Sequence, residues 1–209
     1  MKRSGLLLFS LVALAGRAHA DERKLSAFDG IELSGMMAME VSIGATAKVD
    51  VQGEPDLAKL VSTTVKNGTL IVETPEDFSK KLDGRKSNKL KVVVTMPSLA
   101  RVSISGTGAI DVTGLAQPSV DASIPGTGSL KLAGKADRLR LNVQGTGAVK
   151  AKSLIARDVE VSVQGTAEAS VHASKSFVGN VMGTAMVKVH GKPGSVRKNV
   201  QGTAMIDVD

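Results

Sequence analysis

The dipeptide Gly-Thr recurs six times in the second half of the chain, at Gly106-Thr107, Gly126-Thr127, Gly145-Thr146, Gly165-Thr166, Gly183-Thr184 and Gly202-Thr203. The intervals are 20, 19, 20, 18 and 19 residues. So regular a spacing marks a repeat architecture, in which each unit exposes an apolar face that only its neighbour can cover.

Aligning the copies on the glycine brings out the rest of the unit. Two residues earlier stand Ile104, Ile124, Val143, Val163, Val181 and Val200, and six earlier Ala100, Val120, Leu139, Val159, Phe177 and Val196. Four residues later come Ile110, Leu130, Val149, Ala169, Val187 and Ile206, and six later Val112, Leu132, Ala151, Val171, Val189 and Val208. Two after the glycine sit only Gly108, Gly128, Gly147, Ala167, Ala185 and Ala204. These even offsets are apolar or small. The odd ones are mostly polar, as in Ser103, Ser123, Asn142, Ser162, Asn180 and Asn199 three before it. Alternation with a period of two means strands with one buried face. The unit is too short for a helix-plus-strand crossover. The pattern therefore predicts an all-β, parallel β-solenoid with about 19–20 residues per coil, right-handed by the general crossover preference.

The marker residues have a mechanical reading. At the glycine, and again two residues on, either a side chain has no room or the backbone must take positive φ. The threonines between would stack in a column at the strand spacing of ~4.8 Å. Sequence alone leaves open whether that column faces solvent or fills a corner.

The first half is less regular. Ile31, Leu33, Gly35, Met37, Met39, Val41 and Ile43 keep the alternation, with Met36 in the threonine's place, so 28–43 reads as a degenerate first coil that caps the stack. Ala47–Val51 reads as a strand, 55–65 as a short helix or loop, and Asn67-Gly68 as a hairpin turn into Thr69–Val72. Residues 73–88 read as a polar surface loop, followed by a strand from Leu90 to Met96. Residues 21–209 are expected to form a single domain, with the regular coils over about 100–209.

Residues 1–20 read as a signal peptide. Lys2 and Arg3 precede an uncharged apolar run from Gly5 to Gly16, and Ala18-His19-Ala20 offers a small-residue cleavage motif, with the cut after Ala20. The run is shorter than the ~20 residues that span a bilayer. Removing the leader takes three of the 27 basic residues, leaving 24 against 20 acidic, a net charge of +4. So mild an excess argues against a nucleic-acid partner. No membrane span is expected after cleavage, and the destination is periplasmic or extracellular. Cysteine is absent, which excludes disulfides, thiolate metal sites and cysteine nucleophiles.

Three stretches resemble a known family: Phe28-Asp29-Gly30-Ile31, the Asn67-Gly68-Thr69-Leu70-Ile71-Val72 turn and strand, and Met96-Pro97-Ser98-Leu99 leading into Ser103-Ile104-Ser105-Gly106-Thr107-Gly108. They are similar to the putative auto-transporter adhesin, head GIN domain, over roughly residues 25–209. The resemblance implies an exported bacterial β-solenoid of adhesin-head type and supplies no catalytic residue. Unlike in a full autotransporter, no terminal membrane barrel is expected after the repeat strand that reaches Asp209.

Chemistry-bearing residues are sparse. His172 and His190 lie one repeat apart, without carboxylates at matching offsets to complete a metal site. Asp111 and Asp207 share an exterior offset but belong at opposite ends of the array, about 24 Å apart by strand spacing, too far to act as a catalytic pair. Gly128–Lys135 lacks the spacing and the hydroxyl of a phosphate loop, and no Gly-x-Ser-x-Gly elbow occurs. Lys80, Lys81, Arg85 and Lys86 are interrupted by acidic residues and read as a solvated loop. Aromatic platforms for sugars or bases are missing.

The reading is an exported, non-enzymatic scaffold that binds a cell-surface or envelope component, with no cofactor or metal. The alternatives are a polysaccharide-active enzyme of the parallel β-helix class and an envelope assembly accessory. The last coil, ending at Asp209, is expected to leave a strand edge open to self-association.

Overall fold

A computed structural model describes residues 20–23, 26–82 and 90–209. The leader through His19 lies outside the described residues, as do Arg85 and Lys86 of the basic cluster.

The regular part consists of β8 (Arg101–Ile104), β9 (Thr107–Ile124), β10 (Thr127–Val143), β11 (Thr146–Val163), β12 (Thr166–His190) and β13 (Ser195–Val208). Consecutive windings pair in parallel and in register, giving a β-solenoid of about five turns. Ile124, Val143, Val163, Val181 and Val200 lie one above another. All but the last are buried. Each buried valine, leucine or isoleucine contributes roughly 1.5–3 kcal/mol, so the stacked columns supply the driving force that no single winding could. The core is one continuous cluster from Phe28 to Val189, and among the described residues it contains no buried polar or charged residue.

The sequence places 28–43 at the end of the stack, and here the structure differs. β2 (Gly30–Ser34) pairs in parallel with β8 on one side and with β6 (Thr69–Glu73) on the other. β3 (Ala38–Ile43) lies likewise between β9 and β7 (Lys91–Met96). This winding is internal. Its inward residues follow the same alternation as every other coil, so periodicity alone does not reveal which strand lies beneath it. The strand beneath comes later in the chain, through a hairpin: β5 (Ser62–Lys66) turns at Asn67-Gly68, with φ of 50° and 72°, into β6. Both residues with positive φ are what a type I′ turn requires.

The end of the stack is antiparallel instead. β4 (Lys48–Gln52) lies against β7, β5 against β6, and β1 (Ala20–Arg23) against β4. The connection from β4 to β5 carries a short helix, α1 (Pro55–Ala58), and buries Leu57, Ala58 and Val61. The expected loop after β6 also has structure. A second turn of helix, α2 (Phe78–Lys81), drives Phe78 into the core.

Candidate functional site

The Gly-Thr corner builds a feature along the whole solenoid. The amides of Thr127, Thr146, Thr166 and Thr184 donate to the carbonyls of Gly106, Gly126, Gly145 and Gly165 in the preceding winding, at 3.0–3.1 Å. A Cβ on the glycine of the upper winding would collide with the glycine carbonyl below it, from Gly126 through Gly202. Lack of room is therefore the common reason for glycine. Gly183 and Gly202 add backbone φ of +142° and +107°.

The threonine side chains point outward, and all six are exposed. Beside them runs the column of small residues. A Cβ at Gly108 would lie 2.7 Å from Leu33 Cδ2, and one at Gly128 2.7 Å from Ile104 Cγ2. Core side chains thus come up to the surface here, and the column sinks into a trough. The result is a groove of about 1010 Å³, mostly apolar, from Met36 and Met37 past Thr107, Thr146 and Ala167 to Met186 and Met205. Met36, Met186 and Met205 are 42%, 43% and 61% exposed. The register of Ala38 with Ala109 sets Met36 level with Thr107, so the groove crosses seven windings, about 29 Å at the strand spacing. A thioether chain is flexible and adapts to irregular apolar partners. Met186 and Met205 are neighbours at one end of the groove and Met36 stands at the other, and exposed apolar residues along a continuous apolar bed mark an interaction surface. The sequence carried the signal: Met186 and Met205 are apolar residues at an outward, odd offset.

Neighbouring faces are charged in alternation. Arg101 binds Asp29 at 2.7 Å, and Arg140 sits between Asp121 and Glu160 at 3.8 and 3.6 Å. Lys131 binds Asp111 at 2.7 Å, and Lys91 binds Glu40 at 3.0 Å. Each pair joins two windings. At this exposure each is worth no more than about 1 kcal/mol, which serves register more than stability. The Ser176 hydroxyl donates to Asp158 at 2.5 Å and is the main cause that holds this carboxyl below its ordinary range, helped by Lys175, Arg157 and Arg138.

The residues considered for chemistry do not converge. Asp111 is engaged by Lys131, while Asp207 lies on β13 opposite Lys188. His172 lies opposite Ile155, and the expectation that no carboxylate matches the histidines' offset is corrected: Asp209 stands one repeat after His190, seven residues past Gly202, and contacts its Nδ1. Among the described residues no three histidine or carboxylate side chains are grouped to hold a metal, and no helix is long and apolar enough to cross a membrane. Within six residues of the glycine the apolar-or-small rule for even offsets fails once. Lys198 takes the inward position held by Val102, Ala122, Leu141, Val161 and Gly179 in earlier coils, and its Nζ donates to the Ile206 carbonyl at 2.9 Å.

Fold and surface together define a parallel β-solenoid that carries an apolar groove along its stacking axis. The chain belongs to the family described as putative auto-transporter adhesin, head GIN domain, whose model matches residues 27–193. Among solved structures it is similar to a putative adhesin from Bacteroides fragilis, with a TM-score of 0.73 and 21% identity, over 93% of this chain and 98% of that one. It is also similar to a putative lipid binding protein from Parabacteroides distasonis, with a TM-score of 0.51 and 20% identity, over 93% and 98%. At these identities the likeness is one of fold. No protein of curated function matches the sequence.

Proposed function

We propose that this protein is an exported, non-enzymatic adhesin-head-like scaffold that uses its groove to hold an extended apolar chain, of the class of a lipid acyl chain, from a cell-surface or envelope component. The observation that carries the reading is the groove itself, with three exposed methionines along a mostly apolar bed. Its volume of about 1010 Å³ stands at the upper end of small-molecule sites, which run to about 1,000 Å³. Its length of about 29 Å exceeds the ~15 Å of one leaflet's hydrocarbon, so an acyl chain fits lengthwise. The name of the Parabacteroides neighbour is consonant with that ligand class. Export rests on the leader, with Lys2 and Arg3 before an apolar run and a cut after Ala20, toward the periplasm or the outside of the cell.

The test is titration of the secreted chain with a fluorescent long-chain fatty acid, beside a glycan screen and a lyase assay with and without calcium. Saturable binding of the probe is expected. Thr146→Arg, which plants a charged side chain midway along the trough, should weaken binding at least ~10-fold, about 1.4 kcal/mol, with an unchanged circular dichroism spectrum. Undiminished binding by that variant would remove the groove from the account. Binding of glycans alone would replace the ligand class, and release of unsaturated sugars would overturn the non-enzymatic reading.

A further inference from the structure

Among the described residues β13 pairs with β12 alone, so one long edge of its backbone is open. Its inward side chains are open too. Val196 and Val200 are 40% and 41% exposed, although their counterparts one winding earlier, Phe177 and Val181, are buried. We propose that this open coil is the docking surface for a second copy of the same chain, related by a two-fold axis through the corner at Gly202.

Three observations select that partner and that symmetry. The first is charge. Arg197 stands five residues before Gly202 and Asp207 five after it, and both are exposed at outward offsets. A two-fold axis at Gly202 runs the strands antiparallel and sets Arg197 of each copy opposite Asp207 of the partner subunit, so the ion pair forms twice. The second is the apolar pattern. The same operation brings Val196 opposite the partner's Val208, and Val200 opposite the partner's Ala204, which matches inward positions with inward positions. The third is the far end of the molecule. There the outermost strands are the antiparallel β1 and β5, whose edges run for four and five residues against the fourteen of β13, so no coil-length template is offered for head-to-tail growth. Association between two β13 coils is closed and stops at two.

Lys198 sets the strength of this contact. Its ammonium lies across the inward face, on the Ile206 carbonyl, and must be displaced or buried when a second coil covers it. Inward charges of this kind restrain edge pairing. The dimer is accordingly reversible.

Sedimentation equilibrium of the secreted chain, from micromolar to millimolar concentration and without ligand, reads the proposal directly. A monomer–dimer equilibrium with no larger species is expected. Arg197→Asp should weaken it about tenfold, as loss of two surface ion pairs implies, and adding Asp207→Arg should restore it. Lys198→Leu should tighten it by at least a similar factor. All these sites are exposed, and circular dichroism verifies the fold of each variant. Chains that stay monomeric even as Lys198→Leu, filaments in place of dimers, or a double reversal that fails to restore association would each overturn the proposal. Thr203, Ala204 and Met205 beside this corner also end the groove, so association is read without ligand and ligand binding through Thr146→Arg, away from β13; failure of either leaves the other standing.

Discussion

The two ends of this solenoid solve the same problem in different ways. At the end nearer the N-terminus the last parallel strands, β6 and β7, are covered by antiparallel β5 and β4, and Leu57, Ala58, Val61 and Phe78 close the core. At the other end, β13 keeps the repeat's inward pattern at Val196 and Val200 with no strand beyond it among the described residues, and Lys198 lies over the opening. The first end terminates the core by changing strand direction. The second leaves the repeat intact and places one charge in it. The contrast teaches that a stacked fold needs a special sequence only where it stops repeating.

That contrast can be broken by substitution. Phe78→Ala should cost the most, about 3–5 kcal/mol by denaturant unfolding, because it empties the closed end of its largest buried side chain. A loss below about 1 kcal/mol would mean that the cap is not coupled to the stack. A sharper comparison uses one column. Val163 and Val200 belong to the same ladder, yet Val163 is fully buried and Val200 41% exposed. Val163→Ala should lose about 2 kcal/mol and Val200→Ala well under 1 kcal/mol, since only the first leaves a cavity. Equal losses would show that the open coil is covered in solution, and a concentration dependence would identify the second copy as the cover.

The smallest effect concerns pH. Asp158 is held below its ordinary pKa of 3.8, chiefly by the Ser176 hydroxyl. A depressed carboxyl stabilises the folded state above its unfolded pKa, and that contribution fades as pH falls through the lower, folded value. Ser176→Ala should therefore be slightly less stable than the parent at neutral pH, with the gap closing in strong acid, as parallel thermal melts would show. A gap that widened on acidification would contradict the assignment.

Much of this was legible beforehand, for a physical reason. Stacking makes the same demand at the same point of every winding, so Gly106, Gly126, Gly145 and Gly165 announce a corner where a Cβ meets the carbonyl beneath. The Asn67-Gly68 hairpin was legible because positive φ at both residues restricts the choice of side chain. The place of 28–43 was not, since alternation reports which face is buried and says nothing about which strand supplies the neighbouring edge. Phe78 was hidden in a polar stretch, where one aromatic residue makes no period. The groove was half legible. Parity sends the threonines outward, but its depth comes from Leu33 and Ile104 rising under Gly108 and Gly128, which is packing and not pattern. Lys198 was visible as the single break in an inward column, and its significance emerged only with the carbonyl it binds.

The position of the β2–β3 winding bears on how the chain acquires its structure. Arg101 reaches Asp29 across 72 residues, whereas Lys131 reaches Asp111 across 20. Closing the longer loop costs about 1 kcal/mol more in chain entropy, and contacts of such wide separation form late. A polypeptide emerging N-terminus first can pair one edge of that early segment with β6 and β7 but must keep the other edge waiting until residues beyond 100 arrive. The repeats, by contrast, can add one upon another like courses of brick, with that waiting edge as their footing.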